Sequence, residues 1–182
     1  MSEIHSLLIV PRLRIQNANA ISSPMTWGFP SMTAFVGLMQ AIERKLPLSV
    51  DLQMEQVGVV CHRFEPQISQ QGYSRVFHLT RNPVDKKGET AAIVEEGRAH
   101  MEITLVFAVR GDACAETERD QAAATVADLL QTMRVAGGTI LPGDGEHRKP
   151  YIETMAEQSD DLDKQFRRLK RRLLPGFTLV QR

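Results

Sequence analysis

The stretch that decides the fold is Arg98 to Val109, RAHMEITLVFAV. Ala99, Met101, Ile103, Leu105, Phe107 and Val109 fall on one side of a period-two pattern, with Arg98, His100, Glu102 and Thr104 on the other. Strand side chains alternate strictly, so this pattern predicts a β-strand that puts one face into a core. The covering elements lie to either side. Downstream, Thr117 with Asp120 three residues later has the form of a capping box. Ala122, Val126, Leu129, Leu130 and Met133 then continue at helical spacing to Gly137 and Gly138, where a helix is expected to stop. Thr139 to Leu141 supply a short strand. Upstream, Val57 to Phe64 (VGVVCHRF) has the β-branched character of a buried strand. Before it, Ser31 caps a helix to about Leu46 with the stripe Phe35, Leu38, Met39, Ile42 and Leu46, ended by Pro47. Leu7 to Ile15 opens the chain as a strand, with Leu7, Ile9, Leu13 and Ile15 on one face and Arg12 and Arg14 on the other. A loop rich in Asn, Ser and Pro, Gln16 to Pro30, follows it.

The resulting order, β-α-β-β-α-β, is that of an α+β, ferredoxin-like fold shared by many RNA-binding domains. Residues 1–142 are assigned to this core, with 65–97 as an inserted β-hairpin in which Arg75 to Leu79 pairs with Ala91 to Val94 around Asn82 to Gly88. Residues 143–182 hold a polar loop, Pro142 to Pro150, and a basic helix capped by Ser159 with Leu162, Phe166, Leu169 and Leu173 on one side. After Pro175 and Gly176, Phe177 to Val180 read as the start of a strand with no evident partner.

Composition narrows the function. With 42% hydrophobic and 24% charged residues the chain is an ordinary globular one. No apolar run approaches membrane-spanning length, and Met1 to Leu8 carries Glu3 without a basic start, so a cytoplasmic protein is expected. Cys61 and Cys114 stand outside any Cys-x-x-Cys or Cys/His spacing, so neither a disulfide scaffold nor a metal is expected, and no cofactor motif is present. The formal net charge is zero. From Lys164 onward, however, Lys164, Arg167, Arg168, Lys170, Arg171, Arg172 and Arg182 meet no acid, which suits RNA, an acidic partner, or the helix dipole alone.

Several positions suit nucleic acid, each beside a plainer explanation. Arg12 and Arg14 face away from the core, toward RNA or simply toward solvent. The run QNANAISSPMTWGFPSMTAF sets Gln16, Asn17, Asn19 and Ser31 beside a helix N-terminus, fitted to a phosphate or to turns and capping alone. Trp27 stacks on a base or anchors the core. Arg81, Asn82, Lys86 and Lys87 make a basic hairpin tip that also serves solubility. A metal-independent endoribonuclease would need an acid-base pair, for which His62 and His100 on neighbouring strands are the available residues among His5, His62, His78, His100 and His147. No nucleophile elbow or P-loop accompanies them, and no catalytic residue is assigned.

The stretches RLRIQNANAISSPMTWGFPSMTAF, VGVVCHRFEPQIS, LTRNPVDKKGETAAIVEEGRAHMEITL, MRVAGGTILP and RRLLPGF together resemble the Csy-type member of the Cas-five family, a RAMP subunit of type I-F CRISPR surveillance (Cascade) complexes. The resemblance spans nearly the whole chain, although family members continue beyond RRLLPGF, so the chain corresponds to an N-terminal portion or a shortened variant. It implies a non-catalytic RNA-binding subunit in antiviral defence that caps the 5′ handle of the CRISPR RNA. Such a subunit pairs with the large subunit, abuts an adjacent backbone RAMP subunit, and meets target DNA indirectly through the complex. It further implies Arg12, Arg14, Gln16, Asn17 and Asn19 near the handle, with Trp27, Ser31, Arg81, Asn82, Arg134, Gly137, Gly138, Arg171 and Arg172 as additional RNA-binding positions. The alternative is a shortened protein that binds the large subunit without capping RNA and modulates assembly.

Overall fold

The computed structural model describes residues 6–81, 84–90, 93–142 and 149–178. The chain begins with β1 (Ser6–Asn19), a small β2 (Ile21–Ser23) and β3 (Thr26–Trp27), then α1 (Met32–Lys45) and β4 (Gln53–Pro66). The insertion contributes β5 (Ile68–Gln71), β6 (Ser74–Phe77), β7 (Leu79–Arg81) and β8 (Ile93–Glu95). There follow β9 (Arg98–Arg110), a 3-10 turn (Asp112–Cys114), α2 (Arg119–Gln131), β10 (Arg134–Val135), β11 (Gly138–Leu141), β12 (Tyr151–Thr154), α3 (Ser159–Leu173) and β13 (Phe177–Thr178). One sheet runs in the order β10-β11-β1-β9-β4-β13, with β12 beside the first half of β1. The described pairings within it are antiparallel.

β9 sits at the centre, as its alternation predicts: Ala99, Met101, Ile103, Leu105, Phe107 and Val109 are all buried. The main core joins most of them to Phe35, Leu38, Met39 and Ile42 of α1 and Ala122, Ala123, Val126 and Leu130 of α2. The far end of β9 is apolar on its second side too. There Ala108, with Leu7 and Ile9 of β1, packs under Leu169 of α3, and Val106, Leu162 and Leu173 border the cluster.

This arrangement corrects the expected faces of β1. Leu7 and Ile9 face α3, whereas Leu8, Val10 and Ile15 are in the main core with Leu13 packed against it. The register against β9 shifts between Val10 and Leu13, and again between Ile15 and Ala18. Each β-bulge flips the alternation of the strand. Each also contains a left-handed residue, Arg12 at φ 53° and Asn17 at φ 57°, a conformation that costs a non-glycine residue about 1–3 kcal/mol and needs outside support.

Other expectations change for similar reasons. β1 runs on to Asn19, and the predicted loop Gln16 to Pro30 also contains β2 and β3. Ser31 does occupy the cap of α1, but its hydroxyl pairs with Thr33 Oγ1 at 2.8 Å instead of a backbone amide. The capping box at Thr117 does not form, because α2 begins at Arg119 with Glu118 as its cap. α2 also ends before the glycines: Ala136 (φ 48°) and Gly137 (φ 77°) are the two turn residues joining β10 to β11, the double positive φ that a tight hairpin requires. β4 has only Met54 and Val59 buried, so it is half open where a buried strand was expected. The insertion is two hairpins, since Ser74–Phe77 turns back on Ile68–Gln71 and only Leu79–Arg81 reaches Ile93–Glu95. β12 was not anticipated at all. β13 does have a partner: Phe177 pairs with Cys61 and Thr178 with Val60.

α3 is held to the sheet by charge as well as by leucines. Glu153 of β12 accepts hydrogen bonds from Arg168 (2.5 Å) and Gln165 (3.0 Å), and Arg172 lies 3.9 Å away. Burial pushes the Glu153 carboxyl up, but these hydrogen bonds and the two guanidinium charges outweigh it and hold the group below the usual carboxylate range. A depressed folded-state pKa contributes stability that is present above the unfolded value and lost as pH falls through the folded one. Glu153→Gln is therefore expected to cost about 1–2 kcal/mol at neutral pH, with the gap to the wild type closing on acidification. Thermal melts of both proteins from neutral to acid pH check this, and a gap independent of pH would contradict it. Phe166, expected in the apolar stripe, is instead exposed.

Candidate nucleic-acid interface

Beyond the reach of α3 the same sheet face turns polar and open. A shallow groove of about 230 Å³ is lined by Arg14 and Gln16 of β1, Arg63 and Glu65 of β4, and His100 and Glu102 of β9, with Leu141 at its side. The first bulge brings Arg14 and Gln16 here. Without it they would continue the parity of Leu8 and Val10 into the core. Arg12 stands beside the groove, its guanidinium 3.2 Å from Glu102, while Arg63 lies 2.9 Å from Glu65. The Arg63–Glu65 pair is exposed and of a kind worth at most about 1 kcal/mol, whereas Arg12 and Glu102 are both partly buried.

The bulges rest on side chains from β9. The Arg12 backbone N–H donates to Thr104 Oγ1 at 3.1 Å, and the Asn17 N–H to His100 Nδ1 at 3.1 Å. Behind Thr104, His62 Nε2 lies 2.8 Å from the same hydroxyl and His62 Nδ1 2.6 Å from the Pro175 carbonyl. A carbonyl only accepts, so Nδ1 carries a proton. By register His62 falls at the irregularity between Cys61, opposite Ile103, and Arg63, opposite Glu102, whereas His100 lies opposite Glu65. The described hydrogen bonds of the two histidines go to different partners, His62 to Thr104 and the Pro175 carbonyl and His100 to the Asn17 N–H, and none joins one ring to the other.

A second groove, about 500 Å³, forms where α1 begins. It gathers Asn19, Ile21, Ser22, Ser31, Thr33, Ala136 and Gly137 from three separate stretches of sequence. The Asn19 amide is occupied there, bonding both N–H and C=O of Ile21 at 3.0 Å, and its backbone N–H reaches the Ala136 carbonyl at 2.8 Å. Arg134 closes the adjoining hairpin through a 3.3 Å bond to the Gly137 carbonyl. Gly138 serves packing, since a Cβ there would lie 2.8 Å from the Ala18 nitrogen and the Gln16 oxygen.

Of the remaining positions, Trp27, Arg171 and Arg172 line neither groove. Trp27 is half exposed and meets Phe77 edge-on at 5.3 Å, tying β3 to the insertion. Arg81 ends β7, and Asn82 is outside the described residues, as are His5 and His147. On α3, Arg172 turns toward Glu153, whereas Arg171 is exposed and bonds back to the Arg167 carbonyl at 3.3 Å. Arg63, Thr104 and the anchoring role of His100 were not found from the sequence. Thr104 was visible only as a polar member of an alternating strand, and His100 as that and as a candidate acid-base residue.

Nucleophilic chemistry gains no support from the cysteines. Burial pushes both the Cys61 and the Cys114 thiol up, the reverse of what a reactive thiolate needs. Among the described residues no three His, Cys, Asp or Glu side chains gather as metal ligands, and no helix is long and apolar enough to cross a membrane.

Residues 8–182 match the family model described as CRISPR-associated protein (Cas_Csy2). A relative named CRISPR-associated protein Csy2, from Pseudomonas aeruginosa (strain UCBPP-PA14), is 50% identical over 187 residues, covering 100% of this chain and 57% of the relative. The chain thus spans little more than half the length of the curated relative it matches. The match runs through β1 with its two bulges, the start of α1, β4 and β9, which supply most of the lining of the two grooves. On this similarity, the chain belongs to the CRISPR-associated Csy2 family.

Proposed function

We propose that this chain is a non-catalytic subunit of a type I-F CRISPR surveillance complex, of the Cas-five RAMP type, that caps the 5′ handle of the guide RNA. In this reading it pairs with the large subunit, abuts the first backbone RAMP subunit and meets target DNA only through the complex. Its core is ferredoxin-like, a reading supported by the strand order β11-β1-β9-β4 with α1 and α2 on one face. The observation that carries the RNA role is the placement of Arg12, Arg14 and Gln16, by a bulge, on the open polar end of the sheet beside Arg63. Backbone phosphates supply most of the affinity for such a surface and make it salt-dependent. The groove at the start of α1, with Ser31, Thr33 and Gly137, is a second place for a phosphate.

The test is co-expression with the type I-F large subunit and a mature CRISPR RNA, affinity purification, and sequencing of the bound RNA. The expected result is recovery of all three with the 5′ handle protected, and a roughly hundredfold loss of RNA affinity when Arg12 and Arg14 are both alanine. Recovery of the large subunit without RNA would replace this reading by that of an assembly modulator.

A further inference from the structure

We infer that Thr104 is a positioning residue for the RNA-facing end of β1, acting through the bulge at Arg12. The inference rests on the proposed RNA role. Thr104 is 2% exposed and so does not itself reach a ligand in solvent. Its hydroxyl accepts the Arg12 N–H at 3.1 Å and pairs with His62 Nε2 at 2.8 Å, while the protonated Nδ1 of His62 binds the Pro175 carbonyl at 2.6 Å. This relay has one proton on each hydrogen bond, and each member is fixed by the next.

The chemistry follows from what the bulge does. Arg12 holds a left-handed backbone at φ 53°, and the shift between Val10 and Leu13 turns Arg12, Arg14 and Gln16 toward the open face while Leu13 and Ile15 turn to the core. A hydroxyl is needed at the β9 position facing that bulge because the Arg12 N–H has left the regular ladder and must be satisfied inside the protein. Valine has the same shape without the acceptor. It would leave the Arg12 N–H and His62 Nε2 without their partner, and the arginines would lose their fixed aim while the core stayed filled.

The experiment measures binding of a single-stranded RNA carrying the 5′ handle to the chain purified with its large subunit, across 50 to 200 mM salt. Thr104→Val is expected to weaken binding about tenfold and to flatten the salt slope by about 0.7, the value of one lost phosphate contact on single-stranded RNA. Arg12→Ala is expected to do the same, Thr104→Ser to restore both, and the Thr104→Val, Arg12→Ala double variant to bind no more weakly than Arg12→Ala. Should Thr104→Val fail to fold, His62→Ala removes the outer partner and is expected to act in the same direction, more weakly. If Arg12→Ala weakens binding but a folded Thr104→Val keeps wild-type affinity and slope, the positioning role is overturned and the RNA role stands. If neither Arg12→Ala nor Arg14→Ala alters binding, the RNA role fails and takes this inference with it.

Discussion

Phe107→Ala is expected to remove about 4 kcal/mol of stability, a large part of the 5–15 kcal/mol that a folded domain usually has. Phe107 is fully buried, and it lies on the central strand with Leu8 of β1 on one side and Val57 of β4 on the other. It belongs to the same core as Phe35 of α1 and Val126 of α2, so its ring fills space against both layers at once. Strands on either side are tied to it by backbone bonds and cannot close on the vacancy without breaking register. The loss therefore includes a cavity as well as the transferred apolar surface. Urea unfolding should show the midpoint falling with the slope unchanged. A loss under 1 kcal/mol would mean that β9 is not the centre of the core.

Gly138→Ala is expected to cost about 3 kcal/mol, and Gly137→Ala, one residue earlier, only about 1. The difference lies in what a methyl group meets. At 138 it would lie 2.7 Å from Ile15 Cγ2 and 2.8 Å from both the Ala18 nitrogen and the Gln16 oxygen. Two of those three atoms are backbone, and no rotamer moves them, so β11 must draw away from β1 at its second bulge. At 137 nothing stands within 4 Å, and the cost is only that of a side chain at φ 77°. Equal losses in the two variants, measured by denaturant unfolding, would show that turn strain and not strand contact sets the requirement for glycine. Because the displaced atoms belong to Gln16 and Ala18, Gly138→Ala should also disturb the polar end of β1, whereas Gly137→Ala should leave it in place.

The helices and main strands were legible wherever a local period reported burial. The stripe of Phe35, Leu38, Met39 and Ile42 and the alternation from Ala99 to Val109 are buried as read. The ends of elements were less so. Thr117 fits a capping box, but the backbone bonds from Glu118 and Arg119 to the Ala115 carbonyl start the turn differently. A Gly-Gly pair after a helical stripe looks the same in sequence whether it stops a helix or turns a hairpin. The basic helix misled in a further way, because counting cations does not show that Arg168 and Arg172 converge on Glu153 from β12.

The sequence by itself determined the order of the main helices and strands, the core-facing residues of α1 and β9, and the presence of arginines beside an asparagine-rich run on β1. These follow from hydrophobic burial at helical and strand periods, which is a property of neighbours along the chain. The tertiary structure alone decided which way β1 faces. Its two bulges are anchored by hydrogen bonds spanning 92 residues, from Arg12 to Thr104, and 83 residues, from Asn17 to His100. A strand's parity changes only where a displaced backbone N–H finds a new acceptor, and here that acceptor comes from the opposite strand. No local pattern specifies it, so only pairing with β9 puts Leu8 and Val10 in the core on the same side as Leu13 and Ile15, and sends Leu7 and Ile9 to the face shared with Arg14 and Gln16.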